Sequence, residues 1–473
     1  MDPEHIIVIS DLHISAGPLD DFDVELESQL VEFLDYFSTR PFVVELVING
    51  DFLDFVQAPP YSGANLQAET SLKIPLCFTQ EQSSEKLSAV HSAHRATFQA
   101  LQQFLASKNG NSITILPGNH DPDFFWETVR DEFREYVSSG GESGSRRINF
   151  VLQRTYRPTQ CPDLWIEHGQ QYDPINSFFI SDYPYWSATN PPILSDGEQY
   201  RLYACLGTRF MIDYLNDLDA TYPFVDNVKP FSRFVKLFLA TAVSSRSGPL
   251  KAAVAGWGML KYLSGLSLKH RQDLLAIDSL MESGKSTLLA RLREIAKQNG
   301  ELFQRLNEAY PGARDLGVLL TDPSEQEVIL AWLARHMELF AESAPTVTTN
   351  QLSTDETDDS CLSLIKGFTV DETSLLTDGA ATILDPTNKD GAKLAIMGHT
   401  HEPVAKPRGL QYYNTGSWTR YYRFSHQSDR PSAWSILNNH SYENFPYELN
   451  YVDIDVRSLD SAQMICFKNR NHD

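Results

Sequence analysis

Leu116-Pro117-Gly118-Asn119-His120-Asp121 decides how the chain is read. Residues 113–116 before it are a short apolar run with the look of a buried strand. Pro117 and Gly118 then force a turn, and an acidic, aromatic helical pattern starts near Asp121. Such a turn holds polar side chains at a rigid edge. There Asn119 can offer a neutral oxygen to a metal ion. His120 can offer a ring N–H to a phosphate oxygen or a leaving group. Asp121 reads as the cap of the helix that follows.

The pattern recurs on both sides. Residues 6–9 are a β-branched run ending in Ser10-Asp11-Leu12-His13. Asp11 and His13 are two apart, so an extended backbone points them to one side. A carboxylate and an imidazole together suit a first-row divalent metal; an N-cap aspartate with a surface histidine is the alternative. Residues 42–48 form a second strand, ending in Asn49-Gly50-Asp51-Phe52-Leu53-Asp54. Asp51 stands at its carboxyl end, where open α/β sheets bind ligands, and its two oxygens could bridge two cations. Asp54 reads as a group that orients a histidine; a loop and helix N-cap is the plain alternative. Residues 164–167 end in His168-Gly169, and residues 393–397 in Gly398-His399-Thr400-His401-Glu402-Pro403. A strand and tight turn follow at Tyr412-Tyr413-Asn414-Thr415-Gly416-Ser417-Trp418.

Between these edges the periodicity predicts helices over 20–37, 81–108 and 122–137, a polar loop over 57–80, and a strand over 148–153. His91 and His94 lie on the second helix at i, i+3. They read as ordinary helix-face residues, because no carboxylate accompanies them at ligand spacing. Residues 174–390 read as a helical insertion, with helices at 200–218, 230–243, 250–266, 271–298 and 325–340 and a polar loop at 342–362. Strands near 448–456 and 462–467 close the chain. The expected organisation is a core in two parts, 1–173 and 391–473, around the insertion.

The 473 residues, 42% of them hydrophobic, suffice for a large core and more than one unit. The net charge of −23 repels nucleic acid and anionic membranes unless it is segregated. Residues 231–269 reverse that sign. They are apolar and carry Arg233, Lys236, Arg246, Lys251, Lys261 and Lys269 without an acid. Such a stretch is either a surface for lipid or another anion, or a buried hairpin with snorkelling lysines. The run 282–287 imitates a P-loop, but Ser279 stands where its first glycine belongs and no strand precedes it. Five scattered cysteines suggest neither disulfides nor a zinc knuckle, and they point to a reducing, cytoplasmic setting. No basic n-region begins the chain, and no long apolar run predicts a spanning helix.

Asp11, His13, Asp51, Asn119, His168, His399 and His401 thus collect at strand ends as oxygen and nitrogen donors for two cations. Two such ions would clamp a phosphoryl group and supply a bridging hydroxide for in-line attack, with His120 at the leaving oxygen. No serine or cysteine nucleophile is needed.

Asp11-x-His13, Gly50-Asp51-x-x-Asp54, Gly118-Asn119-His120-Asp121, His168-Gly169 and Gly398-His399-x-His401 resemble, in type and order, the motif set of the calcineurin-like metallophosphoesterases. The resemblance covers about residues 5–173 and 390–468. It implies an α/β fold, a four-layer αββα sandwich, with the site at the strand ends. By the family pattern, Asp11, His13, Asp51 and His401 hold one metal, and Asp51, Asn119, His168 and His399 the other. His120, oriented by Asp54, is the catalytic histidine. Manganese is the metal implied, with iron or zinc as alternatives.

The 9–13, 398–403 and 414–418 runs loosely resemble the UDP-2,3-diacylglucosamine pyrophosphohydrolase relatives. His120 stands where those enzymes typically carry arginine, and their insertion is shorter. The expected function is a two-metal hydrolase of a phosphodiester, pyrophosphate or phosphomonoester. The competing expectation is a manganese-dependent nuclease resembling the SbcD type, with an ATPase partner docked on the insertion. The acidic chain offers no basic track for DNA. A non-catalytic scaffold is the third class.

Overall fold

The structure is a computed structural model, and it describes residues 2–60, 75–108, 110–138, 142–180, 183–219, 225–229, 285, 288–289, 371–423 and 442–470. Apart from residues 285, 288 and 289, these lie in one compact unit made of Met1–Pro230, Asp371–Arg423 and His440–Asp473. The basic stretch 231–269, the helices expected at 230–243, 250–266 and 325–340, and the polar run 342–362 lie outside the described residues. So does nearly all of 271–298, including the run 282–287 except Lys285.

In chain order the strands are β1 (His5–Ile9), β2 (Val44–Asn49), β3 (Ser112–Leu116), β4 (Ile148–Phe150), β5 (Leu164–Ile166), β6 (Phe179–Ile180), β7 (Tyr183–Pro184), β8 (Ile193–Ser195), β9 (Tyr200–Leu202), β10 (Val228–Lys229), β11 (Leu394–Met397), β12 (Val404–Ala405), β13 (Tyr412–Asn414), β14 (Tyr422–Arg423), β15 (Tyr447–Asp455) and β16 (Ser458–Arg470). The longer helices are α1 (Val24–Ser38), α2 (Gln80–Ala93), α3 (Arg95–Ser107), α4 (Glu127–Ser138) and α5 (Glu372–Ile383). Six strands make one sheet in the order β16-β15-β1-β2-β3-β4, and four make another in the order β12-β13-β11-β5. β1 to β4 run parallel, as do β5, β11 and β13. β15, β16 and β12 pair antiparallel. The fold is therefore mixed α/β. No described helix is long and apolar enough to cross a membrane.

The period of two in the strands sorts the core. Ile7 and Ile9 of β1, Leu46 and Ile48 of β2, and Ile113 and Ile115 of β3 share a cluster with Leu26, Leu30 and Phe33 of α1, Phe98 of α3 and Phe133 of α4. The alternate residues Ile6, Val8 and Val47 cluster instead with Leu164, Ile166, Leu394 and Ile396 of the four-stranded sheet. That sheet's Ala395, Met397 and Tyr412 pack on Leu376, Ala380 and Ile383 of α5. Each large side chain buried this way contributes roughly 1.5–3 kcal/mol. α1 starts cleanly because the Asp23 carboxylate accepts from Glu25 N and Leu26 N. Arg420 then bridges Asp23 and Glu25 at 2.6 and 2.5 Å.

Three expectations need correction. The helix expected over 81–108 is two, broken at His94 (φ −115°, ψ 46°). The break lets His94 Nε2 reach Asp20 Oδ2 at 2.7 Å and Nδ1 approach Glu27 Oε1 at 3.4 Å. Glu27 also accepts from Thr97 N and Oγ1, which satisfies an N–H at the start of α3. Residues 200–202, expected helical, form β9 in a hairpin with β8. Asp196-Gly197 makes the turn, Gly197 at φ +93°, and Asp196 Oδ1 accepts from Glu198 N and Gln199 N. The chain is helical only from 206 to 219. The helix expected over 122–137 is a 3-10 turn, Pro122–Phe125, followed by α4. α5 was not anticipated; its Asp371 N-cap is its sequence signal.

His94 gives a pH test of this packing. Burial opposes its charge, but the Asp20 and Glu27 carboxylates outweigh burial and raise its pKa to about 9. Its contribution should be complete below about pH 6.5 and lost as pH rises through 9, a loss on the order of 3 kcal/mol. Urea unfolding of wild type and His94→Gln should differ most at pH 6 and converge by pH 10. A difference that does not change with pH would refute the pairing.

Candidate metal centre

Six parallel strand ends deliver the polar side chains. The register aligns Ile9 with Ile48 and Asn49 with Leu116, which sets the turns after β1, β2 and β3 in a row. β5, β11 and β13 end in the second sheet with Ile396 opposite Ile166 and Met397 opposite Asn414. Asn49 Nδ2 donates to Glu167 O at 2.9 Å and ties the two rows together. At the edge the backbone leaves the extended region. Asp11, His13, Asp51, His399 and His401 all adopt positive φ, between 49° and 72°. Non-glycine residues there cost of order 1–3 kcal/mol each.

The structure brings the sequence-predicted donors together. Asp11, His13, Asp51 and His401 each present a ligand atom within 4.8 Å of the others, and Asp51, His168 and His399 form a second such group. Asp51 belongs to both. His13 Nε2 and His401 Nε2 are 2.9 Å apart, and His401 Nε2 lies 3.4 Å from Asp11 Oδ1. His168 Nε2 lies 3.1 Å from Asp51 Oδ2. Its Nδ1 donates to Asn49 O at 2.8 Å; that carbonyl only accepts, so Nε2 is left free to ligate. Asn119 is 4% exposed, and its Oδ1 has no hydrogen-bond partner among the described residues. His120 Nδ1 stands 2.7 Å from Asp54 Oδ2, and His13 Nδ1 shares that oxygen at 3.1 Å.

The electrostatics follow from burial and proximity. Burial raises the Asp11 carboxyl, against the pull of His168. Burial would also raise Asp51 and Asp54. The His168 and His120 charges hold Asp51 well below the carboxylate range, and His120 and His13 hold Asp54 there. Burial opposes charge on His168 and His120. Asp51 and Asp11 nevertheless lift His168 to about 10, and Asp54 and Asp51 lift His120 to about 9. Burial, then the charge of Lys229, keeps His401 well below its ordinary value. A field that strengthens imidazole's hold on a proton also attracts a divalent cation, which displaces that proton on binding.

Backbone packing fixes the donors. A Cβ on Gly50 (φ +84°) would meet His168 Nδ1 at 2.2 Å, and one on Gly118 would meet Asp51 Oδ1 at 2.2 Å. The sequence predicts a helix cap at Asp121, but its side chain makes no capping bond. Its carboxylate instead accepts from Gly118 N at 2.5 Å, Phe52 N at 2.9 Å, Asp51 N at 3.3 Å and Leu53 N at 3.4 Å, stapling the β2 and β3 turns together. Burial and Asp51 push its pKa up to about 7, against those N–H groups. Ser417 Oγ and Trp418 N both donate to Asp11 O, and Asn414 Nδ2 donates to Gly398 O. The 414–418 turn thus secures Asp11 and the 398–401 loop.

Two further residues escaped the sequence reading. Asp173 Oδ2 lies 3.1 Å from His399 Nε2, leaving the buried His399 Nδ1 without a partner. The only signal for it was its position five residues after His168. Lys229 gave no signal beyond being a cation in an acidic neighbourhood. His91 stacks on Tyr136 at 3.9 Å, and His94 serves packing, in keeping with their reading as helix-face residues.

Orphaned Asn119 Oδ1, His399 Nδ1 and His401 Nδ1, with carboxylates close by, suit a cation better than a hydrogen-bonded core. These buried groups can hold a metal ion. No protein-family model matches the chain, and no curated protein matches it. Asp121→Ala would strand four buried N–H groups, those of Gly118, Asp51, Phe52 and Leu53, so it should lower the unfolding free energy by on the order of 3 kcal/mol in urea titration. A loss under about 1 kcal/mol would mean the two turns are held by other contacts.

Proposed function

We propose that the chain is a two-metal phosphoesterase of the calcineurin-like metallophosphoesterase kind. The observation that carries this is the sharing of Asp51 by two donor groups drawn from four strand-end motifs. On this reading the two sheets, with helices packed on their outer faces, are a four-layer αββα sandwich. Asp11, His13, Asp51 and His401 would hold one ion, and Asp51, Asn119, His168 and His399 the other. The mixed oxygen and nitrogen donors suit manganese, with iron or zinc as alternatives. When bound there, the pair would supply Lewis-acid polarisation of a phosphoryl group and an activated water at neutral pH.

The protein's own residues do the rest. Asp54 fixes the His120 ring through Nδ1 and stabilises its protonated form, so that Nε2 carries a proton for the leaving oxygen. Asp173 orients His399, and the Asn49 carbonyl orients His168. Substrates of the reading are phosphodiesters, pyrophosphates or phosphomonoesters.

The test is manganese-dependent hydrolysis of bis-p-nitrophenyl phosphate. Asp51→Asn should lower turnover by at least about a hundredfold, reduce bound metal in elemental analysis and leave the circular dichroism spectrum unchanged. Wild-type turnover retained in Asp51→Asn would overturn the proposal.

A further inference from the structure

Lys229 closes β10, which pairs in parallel with β14, so it stands opposite Arg423. Both strands are anchored near the candidate centre. Asn227 O accepts from Tyr422 N at 2.7 Å. Asp226 Oδ2 accepts from Gln57 Nε2 at 2.8 Å, and Gln57 N donates to Asp54 Oδ1 at 2.9 Å. Arg423 Nε lies 3.5 Å from Glu402 Oε1, the residue next to His401. Lys229 itself is 8% exposed. Its ammonium makes no hydrogen bond or ion pair with any of the described residues. Lys229 thus lies across from the strand whose Arg423 reaches Glu402, next to His401, and its charge is felt at both Asp11 and His401.

A buried ammonium without a contact partner is costly. The nearby acids Asp226, Glu372, Asp11 and Glu402 temper its field without touching it. Two doubly charged ions on the proposed donors would make matters worse, since they would outweigh the Asp11 and Asp51 carboxylates and repel Lys229. An anion lying between the ions and Lys229 removes both penalties. A phosphoryl group held on the ions presents non-bridging oxygens that an ammonium can bind by short, charge-assisted hydrogen bonds.

We propose that Lys229, with Arg423 beside it, binds the non-bridging oxygens of the substrate's phosphoryl group on the His401 side of the centre. This rests on the phosphoesterase reading. It supplies a protein cation for the non-bridging oxygens, which His120 at the leaving oxygen does not, and it explains how so acidic a chain accepts an anionic substrate.

The test uses full-length protein loaded with manganese. Binding of inorganic phosphate is measured by calorimetry, and bound manganese by elemental analysis. Lys229→Met should weaken phosphate binding at least about tenfold with its manganese retained, and Lys229→Arg should stay within about threefold of wild type. Lys229→Met binding phosphate like wild type would overturn the assignment. So would loss of manganese in step with phosphate, because Lys229 would then be supporting the ligands. If the methionine variant does not fold, wild type carries the test. Phosphate added to the manganese protein should slow reductive methylation of Lys229 at least about threefold, with the exposed Lys393 unaffected. Equal rates would overturn it. Wild type that binds phosphate but hydrolyses no ester counts against the phosphoesterase reading alone.

Discussion

The Asp51 carboxylate is the interaction on which the candidate centre depends. It is buried, shared by both donor groups, and ringed by His13, His168 and the backbone N–H of His120. A carboxylate in such a place is stable only with positive charge close by. Every neighbouring loop is shaped to supply that charge. Gly118 is small so that the carboxylate can pass, and Gly50 is small so that the His168 ring can. Asp121 spends its own carboxylate on the turn that carries Asp51. Second carboxylates around a first are normally destabilising, and here backbone N–H groups absorb the extra charge.

The strand ends also hold strain. Five donors sit at positive φ without being glycine. That conformation persists only where surrounding structure over-determines it. The over-determination is visible. Leu12 N and His13 N both donate to Asp51 O, and Asp11 N donates to Gly50 O, so the first two loops zip to each other rather than to solvent. His399 N donates to both Asp11 oxygens, which binds the last loop to the first. The core beneath, from Ile6 to Ile454, is apolar and closed, and it offers the turns no route to relax.

What could be read from sequence divides along physical lines. The site-bearing strands were legible because short, largely apolar runs of four or five residues each ended in glycine or a polar donor. Asp11, His13, Asp51, Asn119, His168, His399 and His401 were legible for the same reason, and the structure brings them together at one edge. The break at His94 was not, since it depends on Asp20 and Glu27, which lie 74 and 67 residues earlier in the chain. The hairpin at 193–202 had its signal in Asp196-Gly197, but the helical pattern after residue 203 masked it. Asp121 was assigned the local task its sequence suggests, whereas its partners come from another strand. Lys229 had no periodic or motif context at all, and Asp173 had only its place five residues after His168. Pattern carries local choices well and carries long-range electrostatics poorly.

His13 and His401 are neighbours at 2.9 Å yet 388 residues apart in the chain. β11, the strand that delivers His399 and His401, lies between β5 and β13 inside its sheet, so it cannot be added as an afterthought at an edge. During synthesis, Asp51 leaves the ribosome about 350 residues before His401, an interval on the order of 20 to 70 s. Through that interval the apolar inner face of the six-stranded sheet lacks β11, and the two donor groups around Asp51 lack His399 and His401. The nascent chain therefore passes through a long interval in which no native contact from β11 covers that face.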